Sequence, residues 1–440
     1  MAKTNPPSQK QFPLDNSAIL HLAVLRPGKA NIFRFWVTLT ESVRPELLQK
    51  ALDTVTPQFP VLVAGIRGNF FHCRVVPVEE PPKVRPDTET LGFMTWKDIR
   101  KCAMRVLYRK DQISVEFFHS LTDGYGALVF LKSLLAEYFR LSHGIELSQR
   151  ETELAIPRFS EAEETVDSFL TYAGKEKAAL NNTRSFLPGE DDLTEKIHTT
   201  TGIFDVRPLL GAAHRYGVSL TTFLTAVMAQ SLMEIQARRG KKHRPIQIMV
   251  PINLRNLFPS KTLRNFSLYA MPQVRPEDIR ESFENLVRRI DAQLRKHFTK
   301  EHLQSMMTTN VSLDRNPLMR RLPWAVKCAG LRLGYHFFGG RNSSLSLSNL
   351  GQLQFPAEIQ PYIQQVGCFL SPRINSAYNC GVISNQGKLY FTFSRSSPKP
   401  ELELVFFRKL CEMGCVPELE TDSPVEDFRI LPLRVRKVSV

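Results

Sequence analysis

Residues 113–118 place Ile113, Val115 and Phe117 in alternation with Ser114, Glu116 and Phe118, the period of two that marks a half-buried strand. Residues 125–141 then carry Leu128, Leu131, Leu134, Leu135 and Tyr138 at helical spacing. A strand that turns straight into a helix of that length needs both a sheet and a helical layer above it. The pair excludes an all-helical bundle and an all-β sandwich.

The rest of the chain repeats this grammar. Residues 32–39 form a β-rich run, and Pro45 opens a helix over 45–55 with Leu47, Leu48, Ala51 and Leu52 on one face. Strands are predicted at 61–66 and 69–76 around an Arg67-Gly68 turn, and at 104–108. After a second start near Thr199, helices are predicted at 206–216, 220–238 (capped by Ser219 or Thr221), 281–296 and 402–413. A strand is predicted at 246–251, and a hairpin over 379–395 turns at Asn385-Gln386-Gly387. Strands and helices alternate in both halves, so the class is α/β. The expected organisation is an N-terminal lobe over 1–150, an acidic inter-lobe linker over 151–198 with a helix near 166–173, and a C-terminal lobe over 199–440. Pro157, Pro188 and Gly189 mark the linker.

The 440 residues include 42% hydrophobic and 23% charged side chains, enough apolar surface for a core and too much for a disordered chain. No run of 18 apolar residues predicts a spanning helix, and residues 1–8 lack an apolar leader, so a cytoplasmic location is expected. Seven cysteines, an odd number without C-x-x-C, predict reduced thiols rather than a disulfide framework or a zinc site. Cys411 and Cys415, four apart, have spacing alone in favour of a metal. The other histidines (His198, His214, His243, His297, His302 and His336) show no ligand spacing, so no metal site is expected.

Lys and Arg number 58 against 43 Asp and Glu, a net charge of +15. Residues 238–264 hold Arg238, Arg239, Lys241, Lys242, Arg244, Arg255, Lys261 and Arg264 without an acid. The absence of zinc-finger, RRM or zipper signatures argues against nucleic acid. A solvated surface, an anionic membrane surface, and a polyanionic small-molecule or carrier-protein cosubstrate remain as readings. The apolar-basic segment 318–338 reads as a buried helix, with peripheral membrane contact as the alternative.

His119 ends the 113–118 strand, and Asp123-Gly124 precede the helix. A histidine on a rigid strand end is well placed for general-base work, and its ordinary pKa near neutrality suits it. It could equally be a satisfied core histidine, with Thr122 or Asp123 capping the helix. His119-Ser120-Leu121-Thr122-Asp123-Gly124 resembles the H-x-x-x-D-G core of the chloramphenicol-acetyltransferase-like superfamily, which includes BAHD acyltransferases, condensation domains and alcohol acetyltransferases. Three further segments agree. Val250-Pro251-Ile252-Asn253-Leu254-Arg255 with Asn265-Phe266, Leu347-Ser348-Asn349-Leu350-Gly351, and the opening Leu14-Asp15-Asn16-Ser17-Ala18 with 43–48 all resemble family segments. Phe118 replaces the first histidine of the common pair. The plant D-F-G-W-G segment is missing, which points to the bacterial alcohol acetyltransferase and condensation-domain branch.

The resemblance implies two chloramphenicol-acetyltransferase-like lobes, each a mixed sheet with helices, and an active-site tunnel between them. It implies an acyltransferase that moves acetyl or a longer acyl group from acyl-CoA to an alcohol, with His119 as general base and no covalent acyl-enzyme. Asp123 would pair with an arginine, for which Arg255 is the candidate. Gly124 would serve packing, and Ser348 and Asn349 would line the tunnel or supply oxyanion donors. No cofactor is bound; an acyl-CoA or acyl-carrier-protein thioester is the cosubstrate, and the 238–264 stretch is the expected docking surface for it. The alternatives are an N-acyltransferase, a carrier-dependent condensation enzyme, or a non-catalytic binding protein on the same scaffold. A monomer is expected.

Overall fold

The computed structural model describes residues 11–25, 31–88, 93–148, 160–179, 183–240, 243–312, 321–334, 341–372, 376–431 and 433–438. Pro157, Lys241, Lys242 and His336 lie outside the described residues, as do both ends of the 318–338 segment and residues 1–10.

Two mixed sheets carry the architecture. The first runs, in spatial order, Ile363–Leu370, Ile32–Leu39, Gln112–Phe118, Met104–Arg109 and Arg85–Pro86. Its inward side chains, Phe33, Phe35, Val37, Ile113, Val115 and Phe117, are buried under helix Gly124–His143. Helix Pro45–Val55 packs on that helix through Leu48, Ala51, Leu52 and Val55, with proline in its first turn where the missing N–H costs nothing. The second sheet runs Ser267–Ala270, Ile246–Asn253, Leu345–Gln352, Tyr378–Asn385, Lys388–Arg395, His198–Asp205, Glu418–Thr421 and Val435–Lys437. Its core is centred on helix Leu220–Arg238, buried nearly all round beneath Glu401–Glu412 and Phe283–His297. Ser219 caps the helix by accepting from the Thr222 amide at 3.1 Å.

One strand joins the halves. Ile363–Leu370 comes from the C-terminal half but pairs antiparallel with Ile32–Leu39, Phe369 opposite Arg34. The 160–179 segment is also packed. Leu263 N–H donates to the Glu164 carbonyl at 3.1 Å, and Phe169 of helix Ser168–Tyr172 is buried against Phe258 and Phe266.

Three local expectations change. The predicted Arg67-Gly68 turn lies inside a strand: Ala64–Gly68 pairs with Cys73–Pro77, and the tip is 69–72. There the Asn69 carboxamide oxygen accepts from the Phe71 and His72 amides, an Asx turn that moves the bend onward. Helix Trp324–Gly334 has no buried residue, which overturns the buried-helix reading of 318–338. Ordered structure also starts earlier than residue 32. Asp15 caps helix Asn16–Ala23 by accepting from the Ala18 amide at 2.7 Å, and this helix carries a residue of the site.

Candidate active site

Strand Gln112–Phe118 delivers His119 to the sheet end, where its amide donates to the Asn31 carbonyl at 2.8 Å. The turn beyond it is fixed from two sides. Ser120 Oγ donates to the Ala18 carbonyl at 2.8 Å, and Thr122 Oγ1 donates to the Leu263 carbonyl, in the other half of the chain, at 2.6 Å.

Asp123 does two jobs at once. Its Oδ1 accepts from the Tyr125 and Gly126 amides and caps helix Gly124–His143. Its Oδ2 accepts from Arg255 Nη1 at 2.7 Å and from the Phe266 amide at 2.8 Å. Arg255 spends its remaining donors on Asn253 Oδ1 and on the Thr262 and Arg264 carbonyls, and its guanidinium lies 4.5 Å from the Tyr125 ring centroid. Every donor of this buried arginine is thus turned inward.

Elsewhere in the 238–264 stretch most described cations also have partners, Arg238 and Lys261 in exposed pairs. Arg264 is buried against the Pro13 and Thr165 carbonyls, Arg239 pairs with Glu401, Arg238 with Glu234, and Lys261 with Glu163. The described cations of the stretch mostly answer acids brought from elsewhere by folding.

Around His119 the structure adds contacts that sequence reading did not place. Nδ1–H of His119 donates to Asn265 Oδ1 at 3.1 Å. The ring stacks on His21 at 4.5 Å and 13°, and the Phe33 ring meets it edge-on at 4.9 Å. Burial lowers the His119 pKa from the ordinary 6.5, against the opposing pull of Asp123. His21 is held well below 6.5, first by burial and then by His119. The Asn31 carboxamide Nδ2 donates to His21 Nδ1 at 3.0 Å. The two stacked rings therefore carry opposite tautomers: Nε2 of His21 bears a proton, and Nε2 of His119 bears a lone pair. That lone pair is what a proton-accepting base needs.

Behind Asn265 stands Asp15. Its buried carboxyl is raised to about 6 by desolvation, although Arg264 favours its charged form. Nδ2 of Asn265 is itself buried and makes no hydrogen bond among the described residues.

Gly124 and Gly126 both matter for packing. A Cβ on Gly124 would lie 2.8 Å from the Leu350 side chain. On Gly126 it would lie 2.2 Å from Thr122 Oγ1 and 2.5 Å from the Leu263 carbonyl oxygen, a stricter requirement than at the glycine the motif names. Ser348 and Asn349 sit on strand Leu345–Gln352, beside that Leu350. Asn349 donates to Thr221 Oγ1 at 3.0 Å and accepts from the Gly351 amide at 2.9 Å, so its carboxamide is engaged locally. Neither residue is hydrogen-bonded to His119.

A cavity of about 470 Å³ lies between the sheets, lined by Arg34, Trp36, Gln112, Thr199, Gln365 and Glu420 among others. Arg34 and Trp36 alternate along their strand with Phe33, which touches His119. The cavity therefore reaches that strand from the face opposite His119, and it is not the tunnel expected at the histidine.

No protein-family model matches the chain, and no curated protein matches it by sequence. Solved structures do match over nearly the whole length. TRI101 of F. sporotrichioides, crystallised with coenzyme A and T-2, superposes with a TM-score of 0.63 at 12% identity, covering 90% of this chain and 97% of that one. TRI3 trichothecene 15-O-acetyltransferase from Fusarium sporotrichioides gives 0.60 at 9%, covering 93% and 96%. The condensation domain of the Monacolin K polyketide synthase MokA gives 0.57 at 12%, covering 92% and 96%. The chain has the two-lobed fold of chloramphenicol-acetyltransferase-like acyltransferases and condensation domains.

Proposed function

We propose that the protein is a thioester-dependent acyltransferase that moves an acetyl or longer acyl group from acyl-CoA to an alcohol, with His119 as general base. The observation that carries the reading is the hydrogen bond from His119 Nδ1 to Asn265 Oδ1, which leaves Nε2 free to take a proton. The fold shared with coenzyme A-bound TRI101 supports a CoA thioester as donor.

The acceptor hydroxyl gives its proton to His119 Nε2 as its oxygen attacks the thioester carbonyl. A tetrahedral oxyanion forms and collapses, the C–S bond breaks, and the thiolate recovers the proton from His119. No acyl-enzyme is needed, in keeping with a sequence that lacks G-x-S-x-G. Positioned base catalysis contributes about 10²–10⁴-fold. Asp123 and Arg255 act through the turn that holds His119, as positioning residues.

Thiol release from acetyl-CoA and longer acyl-CoAs, measured with alcohols and amines for wild type and His119→Ala, tests this. Release that requires an acceptor and is lost in His119→Ala supports the reading, and the acceptor panel separates O- from N-transfer. Release unaffected by His119→Ala removes the base. No release with any CoA ester, but turnover of an acyl-carrier-protein thioester, transfers the reading to a condensation-type enzyme.

A further inference from the structure

We propose that the tip of the 64–77 hairpin and helix Trp324–Gly334 form one face that docks the protein on an anionic lipid surface. The two elements are joined. The Trp324 amide, a helix-start donor without an internal partner, donates to the Phe70 carbonyl at 2.8 Å, and Lys327 Nζ donates to the Phe71 carbonyl at 3.3 Å.

The face is apolar where it meets water. Phe70 is 69% exposed and Phe71 44%, their rings edge to face at the hairpin tip. On the helix, Val326 is 50% and Leu333 61% exposed, and exposed Ala329 lies between them on the same side. Two elements thus present large apolar groups to solvent together, which a solvated surface does not require.

Its charge is of one sign. The hairpin 64–77 supplies Arg67 and Arg74, and residues 321–334 supply Arg321, Lys327 and Arg332; neither stretch contains an acid. Arg67 and Arg74 are register partners on adjacent strands, both exposed, and no acid among the described residues pairs with either. Like charges placed opposite each other across a hairpin repel, and an anionic surface is the counter-charge that relieves them. Exposed rings rimmed by cations match the interface of a bilayer rich in acidic headgroups.

The contact is peripheral. Helix Trp324–Gly334 has 11 residues, and no single helix among the described residues is long and apolar enough to cross a membrane. The helix also packs on Asn16–Ala23, which carries His21, so the docking face lies one helix away from the histidine pair.

Flotation with phosphatidylcholine vesicles, with and without an equal part of phosphatidylglycerol, tests the proposal on the full chain. Wild type is expected to float with the phosphatidylglycerol vesicles at low salt, and to release as salt rises or when the anionic lipid is omitted. F70S/F71S is expected to weaken partitioning by about tenfold or more. V326S/L333S tests the helix separately, and an unchanged melting temperature shows that either variant folds. Absence of flotation at low salt, or flotation indifferent to both variants, overturns the proposal. So does concentration-dependent self-association that F70S/F71S abolishes in the absence of vesicle binding, which makes the face a contact between copies of the chain.

Discussion

Asp123 and Arg255 meet at 2.7 Å with side chains only 5% and 6% exposed, although 131 residues separate them in the chain. The carboxylate belongs to the turn that presents His119, and the guanidinium to the strand end of the other half. The same carboxylate also caps helix Gly124–His143 and accepts the Phe266 amide. Four donors converge on it, so the turn, the helix start and the opposite lobe are set by one group.

Removing one side of this pair strands the other in a low-dielectric site. Arg255→Ala is expected to cost roughly 3–5 kcal/mol, and Asp123→Ala at least as much because the cap goes with it. Asp123→Asn keeps an oxygen for the cap and loses the charge, so it should be milder in stability while still lowering kcat. Urea unfolding of the three variants gives the order.

Much of this arrangement was legible because its signals are local. The period-two strand, the cap at Asp123 and the helix over 124–143 sit within one stretch of sequence, and helix Leu220–Arg238 follows from its apolar run and Ser219. What was hidden depends on tertiary approach. Strand Ile363–Leu370 was not among the predicted strands, and nothing local says that it pairs with Ile32–Leu39. His21 reaches His119 only because helix Asn16–Ala23 packs beneath the turn, through Ser120 and Ala18. Asn265 was visible as part of a family segment but not as the partner of a histidine. The partners of the basic 238–264 stretch were hidden for the same reason, since its acids include Glu401, Glu163 and Asp123. Net charge along a segment does not reveal which charges folding will pair.

The two glycines of the turn should differ in the direction the contacts give. An added Cβ at Gly126 meets Thr122 Oγ1 and a backbone carbonyl, which cannot step aside without opening the seam between the lobes. Gly126→Ala is expected to destabilise by about 1–3 kcal/mol. Gly124→Ala meets only the end of the Leu350 side chain and should cost about 1 kcal/mol or less. Thermal melts of the pair decide between this ranking and the motif's, which singles out Gly124.

Acid should destabilise the protein through the stacked imidazoles. His21 and His119 have native pKa values below 6.5, so the unfolded chain binds more protons once the pH falls below that value. Their contribution is full above pH 6.5 and is lost progressively as the pH drops. Asp15 acts in the opposite sense. Its native value of about 6 against 3.8 means that folding retains its proton, so this group favours the folded state as pH falls from 6 toward 3.8. His21→Phe keeps a ring on His119 and removes one titrating group. Its loss of stability between pH 7 and pH 5 is expected to be smaller than in wild type, as read from urea midpoints at both pH values.

Asn265 controls which nitrogen of His119 is available, and its variants separate orientation from charge. Asn265→Ala removes the acceptor for Nδ1–H. The ring can then adopt either tautomer, and kcat is expected to fall by about tenfold or more, since the base must be held in the right form and direction. Asn265→Asp restores an acceptor but adds a carboxylate beside the imidazole, which favours its charged form. For the wild type, the lowered His119 pKa predicts an acid limb of kcat/KM below pH 6.5. In Asn265→Asp that limb should move to higher pH, so activity falls near neutrality and recovers in alkaline buffer. Asn265→Ala should lower the whole profile without that shift. A packing role alone would lower both profiles evenly, so the pH dependence of kcat/KM for the two variants distinguishes an amide that sets the tautomer of His119 from one that merely fills space behind it.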